Sequence, residues 1–352
     1  MSRTTPAEAT ATDATSGSPA VRIEGLTVVY NTVNGELPAV RDVDLRLAPG
    51  SITGLVGESG SGKSTMALSM LNAVQSPGRI AGGRIEIEGL GDVLQLRGES
   101  LRSARGGSIG YVFQAAQNSL NPLKPVGKQL LDLGRSHGVS DLRQLVRDAI
   151  DLLGRMGLDG RRVLDSYQHE LSGGMRQRVG IMLALVLNAH LVVLDEPTTA
   201  LDMLTQATIL QIIRDIHRER GLTTLVVTHD IGVVAEVADR IAVMYGGRLV
   251  EQGATRTVLG SPRHPYTRGL ISAIPRLTGD ISAAEPLAGR PPTLTTIPRQ
   301  GCVFRERCPL AMPVCESTEP ETTEVDGSLV ACHAVRADVE SSEDTRNEKE
   351  HT

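Results

Sequence analysis

Short apolar strands alternating with amphipathic helices predict an α/β fold with a largely parallel sheet over residues 21 to about 255. Two further observations give that sheet a task. A glycine-rich loop lies between a strand and a helix, and a later apolar strand ends in two adjacent carboxylates. In chain order, Ile52 to Val56 reads as a buried strand and Lys63 to Val74 as a helix. Ile109 to Phe113 is a strand, and Asp141 to Leu153 is a helix with its apolar residues on one face. Ser172 to Leu187 is a helix, Leu191 to Leu194 a strand, Leu204 to Ile216 a helix and Thr224 to Val227 a strand.

Composition narrows the classes. The chain has 352 residues, 40% hydrophobic and 22% charged, which is globular rather than disordered. With 36 Lys plus Arg against 41 Asp plus Glu, the net charge is −5, the wrong sign for binding through phosphate neutralisation. No Trp and only 2 Phe and 5 Tyr leave little to stack on bases, so no nucleic-acid partner is expected. The most apolar stretch, Ile181 to Leu194, is broken by Asn188 and His190 and is too short to span a bilayer. Residues 1–20 are a Thr, Ala, Ser and Pro tail without an apolar signal core, so a protein kept in the cytoplasm is expected. Residues 336–352 form a second, polar and acidic tail.

Gly57-Glu58-Ser59-Gly60-Ser61-Gly62-Lys63-Ser64 fits G-x-x-x-x-G-K-[ST] in the strand-to-helix setting that motif requires. Its glycines let backbone N–H groups curl inward, and the following helix N-terminus adds partial positive charge for phosphates. Lys63 is placed to reach the β- and γ-phosphates and Ser64 to bind Mg²⁺. Leu191 to Asp195 brings a carboxylate to the C-terminal end of a strand as a second Mg²⁺ group, and Glu196 is placed to polarise an attacking water as general base. Together they describe a nucleoside-triphosphate site.

Leu171-Ser172-Gly173-Gly174-Met175 opens another helix with a second anion-binding N-terminus. A chain with one complete phosphate loop does not need that cradle for itself, so it is read as serving a nucleotide held by another subunit. With these motifs in order, the chain resembles an ATP-binding-cassette (ABC) ATPase. The resemblance implies a P-loop NTPase fold: a RecA-like core with an antiparallel β subdomain and an α-helical subdomain at about 115–188. It implies a Walker A loop over Gly57–Ser64 extended to Thr65, a Q-loop Gln114 that binds Mg²⁺ and senses the γ-phosphate, and a signature at Leu171–Met175. It further implies a Walker B strand at Leu191–Asp195 with Glu196 catalytic, a D-loop at Ala200-Leu201-Asp202, a switch histidine at His229, and Tyr30 stacked on adenine. Ser172, Gly173, Gly174 and Asp202 would act in trans on the partner's nucleotide.

Residues 256–335 differ from the cassette: prolines are frequent and all 4 cysteines lie here. Ser261-Pro262-Arg263-His264-Pro265-Tyr266-Thr267 and Gly301-Cys302-Val303-Phe304-Arg305-Glu306-Arg307-Cys308-Pro309 resemble the C-terminal extension of oligopeptide/dipeptide importer ATPases, some of which energise nickel uptake. Ser119-Leu120-Asn121-Pro122 resembles that branch too, whereas Ala115-Ala116 departs from it. Cys302, Cys308, Cys315 and Cys332 follow neither a C-x₂-C zinc spacing nor a ferredoxin run. A reducing cytoplasm disfavours disulfides. Three readings stay open: a [4Fe–4S] cluster, as in some members of that branch, a zinc site, or four thiols. If a site exists, the four sulfurs converge on one centre.

The resemblance implies an ATPase, using ATP and Mg²⁺, that energises a peptide importer from the cytoplasmic face of the cell membrane. Its partners would be a second ABC ATPase subunit, identical or not, two transmembrane permeases and, indirectly, an extracytoplasmic solute-binding protein. The same machinery serving nickel or another small solute, or a soluble ABC ATPase outside transport, are the alternative readings.

Overall fold

The computed structural model describes residues 18–33, 35–114, 119–199, 201–273, 287 and 289–337. Both expected tails therefore fall largely outside the described residues, as do Ala115-Ala116 and Ala200.

The strands are β1 (Val21–Thr32), β2 (Gly35–Leu47), β3 (Ile52–Val56), β4 (Gly78–Ile87), β5 (Gly91–Asp92), β6 (Ile109–Val112), β7 (Leu191–Asp195), β8 (Thr223–Thr228), β9 (Arg240–Tyr245), β10 (Arg248–Ala254), β11 (Thr322–Val325) and β12 (Ser328–Ala331). The helices are α1 (Lys63–Ser69), α2 (Gly98–Ser103), α3 (Val126–Ser136), α4 (Leu142–Arg155), α5 (Gly160–Asp165), α6 (Gly173–Leu185), α7 (Met203–Arg220), α8 (Ile231–Val237), α9 (Thr255–Gly260), α10 (Pro265–Ser272) and α11 (Val314–Ser317). The predicted helix over Lys63 to Val74 stops at Ser69, because Asn72 turns the chain at φ +48°. Asp141 and Ser172 stand just outside their helices as N-caps, accepting from the N–H groups of Gln144 and Met175. α7 runs on to Arg220, where Gly221 at φ +61° ends it.

Two sheets form. An antiparallel one has the order β2-β1-β4-β5. The larger has the order β11-β12-β10-β9-β3-β8-β7-β6. From β6 through β9 its strands are parallel and almost wholly buried, as strands covered on both faces must be.

Three apolar cores hold the chain. One lies between the two sheets and around α1, with Leu26, Leu55, Met66, Met70 and Leu225 fully buried. A second joins α3, α4, α5 and α6 to β7, β8 and α7, around Leu130, Leu152, Val179 and Ile209. The third lies under the C-terminal part: Val56, Val243 and Tyr245 pack with Tyr266, Ile297, Phe304 and Cys315. The change in composition at residue 256 does not coincide with a break in the sheet, because β12 pairs antiparallel with β10 and β11 with β12. The extension thus borrows the cassette's sheet edge and core, which answers how a Pro-rich segment with few apolar residues is ordered.

Candidate nucleotide site

The register of the parallel sheet sets the site. Val56 of β3 lies opposite Thr228 of β8, and Val227 opposite Asp195 of β7. Val112 of β6 is opposite Leu194. The residues that follow these strand ends therefore share one edge: the loop from Gly57, Gln114, Asp195 with Glu196, and His229. This is the edge where open α/β sheets bind ligands.

Gly57 to Gly62 turns the chain from β3 into α1. At Gly62, φ is +102° and an added Cβ would stand 2.3 Å from the Ala39 carbonyl oxygen, so the loop requires glycine there. Lys63 is buried at 5% exposure. Its Nζ donates to the carbonyl oxygens of Gly57 at 2.7 Å and Glu58 at 2.9 Å. Burial lowers its pKa, against the opposing pull of the Glu196, Asp195 and Glu58 carboxylates. The lysine is held inside its own loop by the Gly57 and Glu58 carbonyls.

Ser64 donates from Oγ to Asp195 Oδ1 at 3.0 Å. Tyr111 donates to the other oxygen, Oδ2, at 3.2 Å. Burial raises the Asp195 pKa, with both hydrogen bonds opposing it, and burial raises that of Tyr111. A hydroxyl and a carboxylate at this separation, beside a phosphate loop, are the oxygen donors Mg²⁺ takes. The donor set fits that ion.

Glu196 follows directly, with its backbone at φ +49°, a strained value for a glutamate. Its N–H donates to Val227 O at 2.8 Å, which locks the turn. Oε2 accepts from Thr199 Oγ1 at 2.7 Å, and Oε1 lies 3.1 Å from His229 Nδ1. Burial pushes its carboxyl up, but the bonds to Thr199 and His229 outweigh that and hold it below the usual range. It is an ionised carboxylate aimed across the strand ends, with His229 half exposed beside it.

The other residues lie further out. Gln114 is exposed at the turn after β6. Tyr30, on β1, reaches Thr65 Oγ1 at 3.4 Å and so lies over the first turn of α1. Ser172 caps α6 and Asp202 caps α7, accepting from Thr205 N–H at 3.0 Å. The two helix starts touch: a Cβ on Gly174 would come 2.8 Å from Thr205 Cγ2. Ser172, Gly173, Gly174 and Asp202 thus form a second surface, separate from the Lys63 loop.

Sequence reasoning missed four contributors. Tyr111 was read only as a strand residue. Thr199 carries a weak signal, a hydroxyl at i+3 after a turn-forming carboxylate. Tyr266 and Arg307, from the extension, carry none. The Tyr266 hydroxyl accepts from the Glu58 N–H at 2.9 Å, and Arg307 forms two hydrogen bonds to the Glu58 carboxylate, at 2.6 and 3.1 Å.

The cysteine expectation needs correction. Cys302, Cys315 and Cys332 are buried, and the thiol of Cys302 feels the other three electrostatically, so the four do gather in one region. Among the described residues, however, no three His, Cys, Asp or Glu are disposed to hold a metal ion. Backbone and apolar packing order this region instead: Cys302 N–H donates to Cys315 O at 2.8 Å, and both side chains lie in the third core. Burial, with a smaller push from the other three thiols, raises the Cys302 thiol to about 11. As placed, these residues do not fit a [4Fe–4S] or zinc site.

Comparison with known proteins agrees with the geometry. Residues 40–199 match the ABC transporter family model, and residues 250–315 match that of the oligopeptide/dipeptide transporter C-terminal region. The chain is 43% identical to the dipeptide transport ATP-binding protein DppD of Caldanaerobacter subterraneus, over 89% of this chain and 96% of that one. It is 38% identical to the oligopeptide transport ATP-binding protein OppD of Salmonella typhimurium, over 89% and 92%. Among solved structures it resembles the ATP-binding cassette MJ0796 in a dimeric post-hydrolysis state bound to ADP and Pi, with TM-score 0.59, 29% identity and coverage of 67% of this chain and 99% of that one. It also resembles cbiO1 of Clostridium perfringens, with TM-score 0.57, 28% identity and coverage of 68% and 90%. The chain belongs to the ATP-binding proteins of the ABC transporter family, and within them to those with the oligopeptide/dipeptide transporter C-terminal region.

Proposed function

We propose that this protein is the ATP-hydrolysing subunit of an ABC importer for dipeptides or oligopeptides. The carrying observation is the pairing at one sheet edge of Ser64 with Asp195, and of Glu196 with His229. The loop amides and Lys63 bind the phosphates, and Ser64, Asp195 and Gln114 would hold Mg²⁺. When bound, that ion would supply positive charge to offset that of the phosphates. Glu196, ionised and fixed by Thr199, accepts a proton from the attacking water. His229 holds the Glu196 carboxylate and faces the γ-phosphate, and Tyr30 stacks on adenine.

The second surface, at Ser172–Gly174 and Asp202, completes the site of another ATPase subunit. ATP contacts both faces only when two cassettes close, so binding shifts the pair toward closure and hydrolysis releases it. Two permease subunits convert that movement into alternating access, and an extracytoplasmic binding protein delivers the solute. A peripheral place on the cytoplasmic face of the membrane is part of this reading; no described helix is long and apolar enough to cross a membrane. The peptide substrate rests on the names of the relatives and on the C-terminal region.

The test is reconstitution with the permeases and binding protein in proteoliposomes. Uptake of labelled peptide that requires ATP and is lost on Ser172→Arg, together with ATP-induced subunit closure, is expected. ATP hydrolysis without peptide uptake, but with uptake of nickel, would transfer the reading to the alternative cargo.

A further inference from the structure

Glu58 sits in the second position of the phosphate loop. Its carboxylate is close enough to act on the buried ammonium of Lys63, alongside Glu196 and Asp195. A free negative charge there opposes the binding of a polyanion. At an effective dielectric of about 20, one unit charge about 10 Å from another changes binding roughly ten-fold.

The extension answers that charge. Arg307 Nη1 and Nη2 donate to the two Glu58 oxygens at 2.6 and 3.1 Å, the two-pronged geometry in which a guanidinium matches a carboxylate best. The pair is sheltered, with the Arg307 side chain 6% exposed and that of Glu58 24%. Arg307 is fixed in turn: Nη1 donates to the Tyr245 hydroxyl at 3.3 Å, and the guanidinium stands 5.7 Å from the centre of the Tyr245 ring. The backbone of Glu58 is held from the same side, since its N–H donates to Tyr266 Oη. Tyr266 is fully buried, with its ring 4.6 Å from that of Tyr245 and 5.4 Å from that of Phe304. Residues 208 and 249 positions away in sequence therefore fix the shape and the charge of the loop's first turn.

From this we infer that Arg307 and Tyr266 are positioning residues for the nucleotide site: Arg307 cancels the Glu58 charge that would otherwise repel the phosphates, and Tyr266 fixes the Glu58 amide. The inference rests on reading the Gly57–Ser64 loop as the nucleotide site. It makes the C-terminal region a working part of ATP binding.

The experiment measures ATP and ADP binding by calorimetry to the full-length wild type, Arg307→Ala, Arg307→Lys and the double variant Arg307→Ala/Glu58→Gln. Thermal unfolding of each is followed alongside. Arg307→Ala is expected to weaken ATP binding about ten-fold and ADP binding less, because ADP carries less charge. Arg307→Lys should fall between it and wild type. The double variant, with no charge left to cancel, should recover to within about three-fold of wild type. A purely structural role for Arg307 would lower ATP and ADP binding alike and would not be rescued at Glu58. That result, or an Arg307→Ala protein that binds ATP like wild type, overturns the inference. A wild-type protein that binds neither nucleotide overturns the reading of the site itself.

Discussion

Lys63 and Arg307 reach different groups of Glu58 by different routes. Lys63 reaches the Glu58 carbonyl from 5 residues along the chain, within a loop whose shape its own glycines dictate. Arg307 reaches the Glu58 carboxylate from 249 residues away, and only because the third core brings the extension onto β3 and β9. The Lys63 side of the loop is made from local motifs, and the Arg307 side from tertiary packing. Changes on the first side should therefore alter chemistry while sparing the fold. On the second, changes in the apolar packing should act on stability first, whereas a change at Arg307 should act on the charge beside Glu58.

Phe304 gives the largest expected break of that contrast. Its ring is 2% exposed and packs against Tyr245, Tyr266 and His264. Phe304→Ala should cost about 3–5 kcal/mol through lost burial and a cavity. Urea unfolding measures it, and a loss under about 1 kcal/mol would show that the extension is not anchored there.

Lys63→Ala should behave oppositely. On the proposed role of Lys63, losing its contact to phosphate should weaken ATP binding about 10- to 100-fold. The unfolding midpoint should hardly move, since the buried ammonium now sits in its loop at a desolvation cost. Nucleotide titration paired with urea unfolding decides, and a large stability loss with normal affinity would reverse the assignment.

His264 sharpens the comparison more gently. Full burial pushes its imidazole from 6.5 down to about 3, and its Nδ1 accepts from the Tyr266 N–H at 3.0 Å. The folded protein keeps it neutral, whereas the unfolded chain takes up a proton below 6.5. The contribution is thus complete above pH 6.5 and is lost as pH falls toward about 3, by about 1.4 kcal/mol per pH unit. Stability should drop between pH 6.5 and 4.5 in the wild type and more shallowly in His264→Asn, which keeps an acceptor for Tyr266. Equal slopes would remove His264 as the source.

Much of the site was legible because it follows short rules. The strand, loop and helix around Lys63 and the apolar strand that ends in Asp195 and Glu196 need only local pattern to read, and their meeting follows from strand register. The fold class was legible for the same reason, through β3, β6, β7 and β8. What escaped was side-chain partnership at long range. Tyr111 looks like any strand tyrosine until β6 is set beside β7, where its hydroxyl meets Asp195. In residues 256–335 no sequence pattern shows that β12 would pair with β10 or that Tyr266 and Phe304 would share a core with Val56. The same lack of long-range information left a cluster, a zinc site and four thiols all open for the cysteines.

The central claim is that Glu196 acts on water while Lys63 and its loop act on phosphate. Phosphate release and ATP binding by the complex assembled with Glu196→Gln test it most directly. ATP affinity should stay near wild type while the rate of phosphate release falls about 10²–10⁴-fold. Near-normal release from Glu196→Gln would contradict the account.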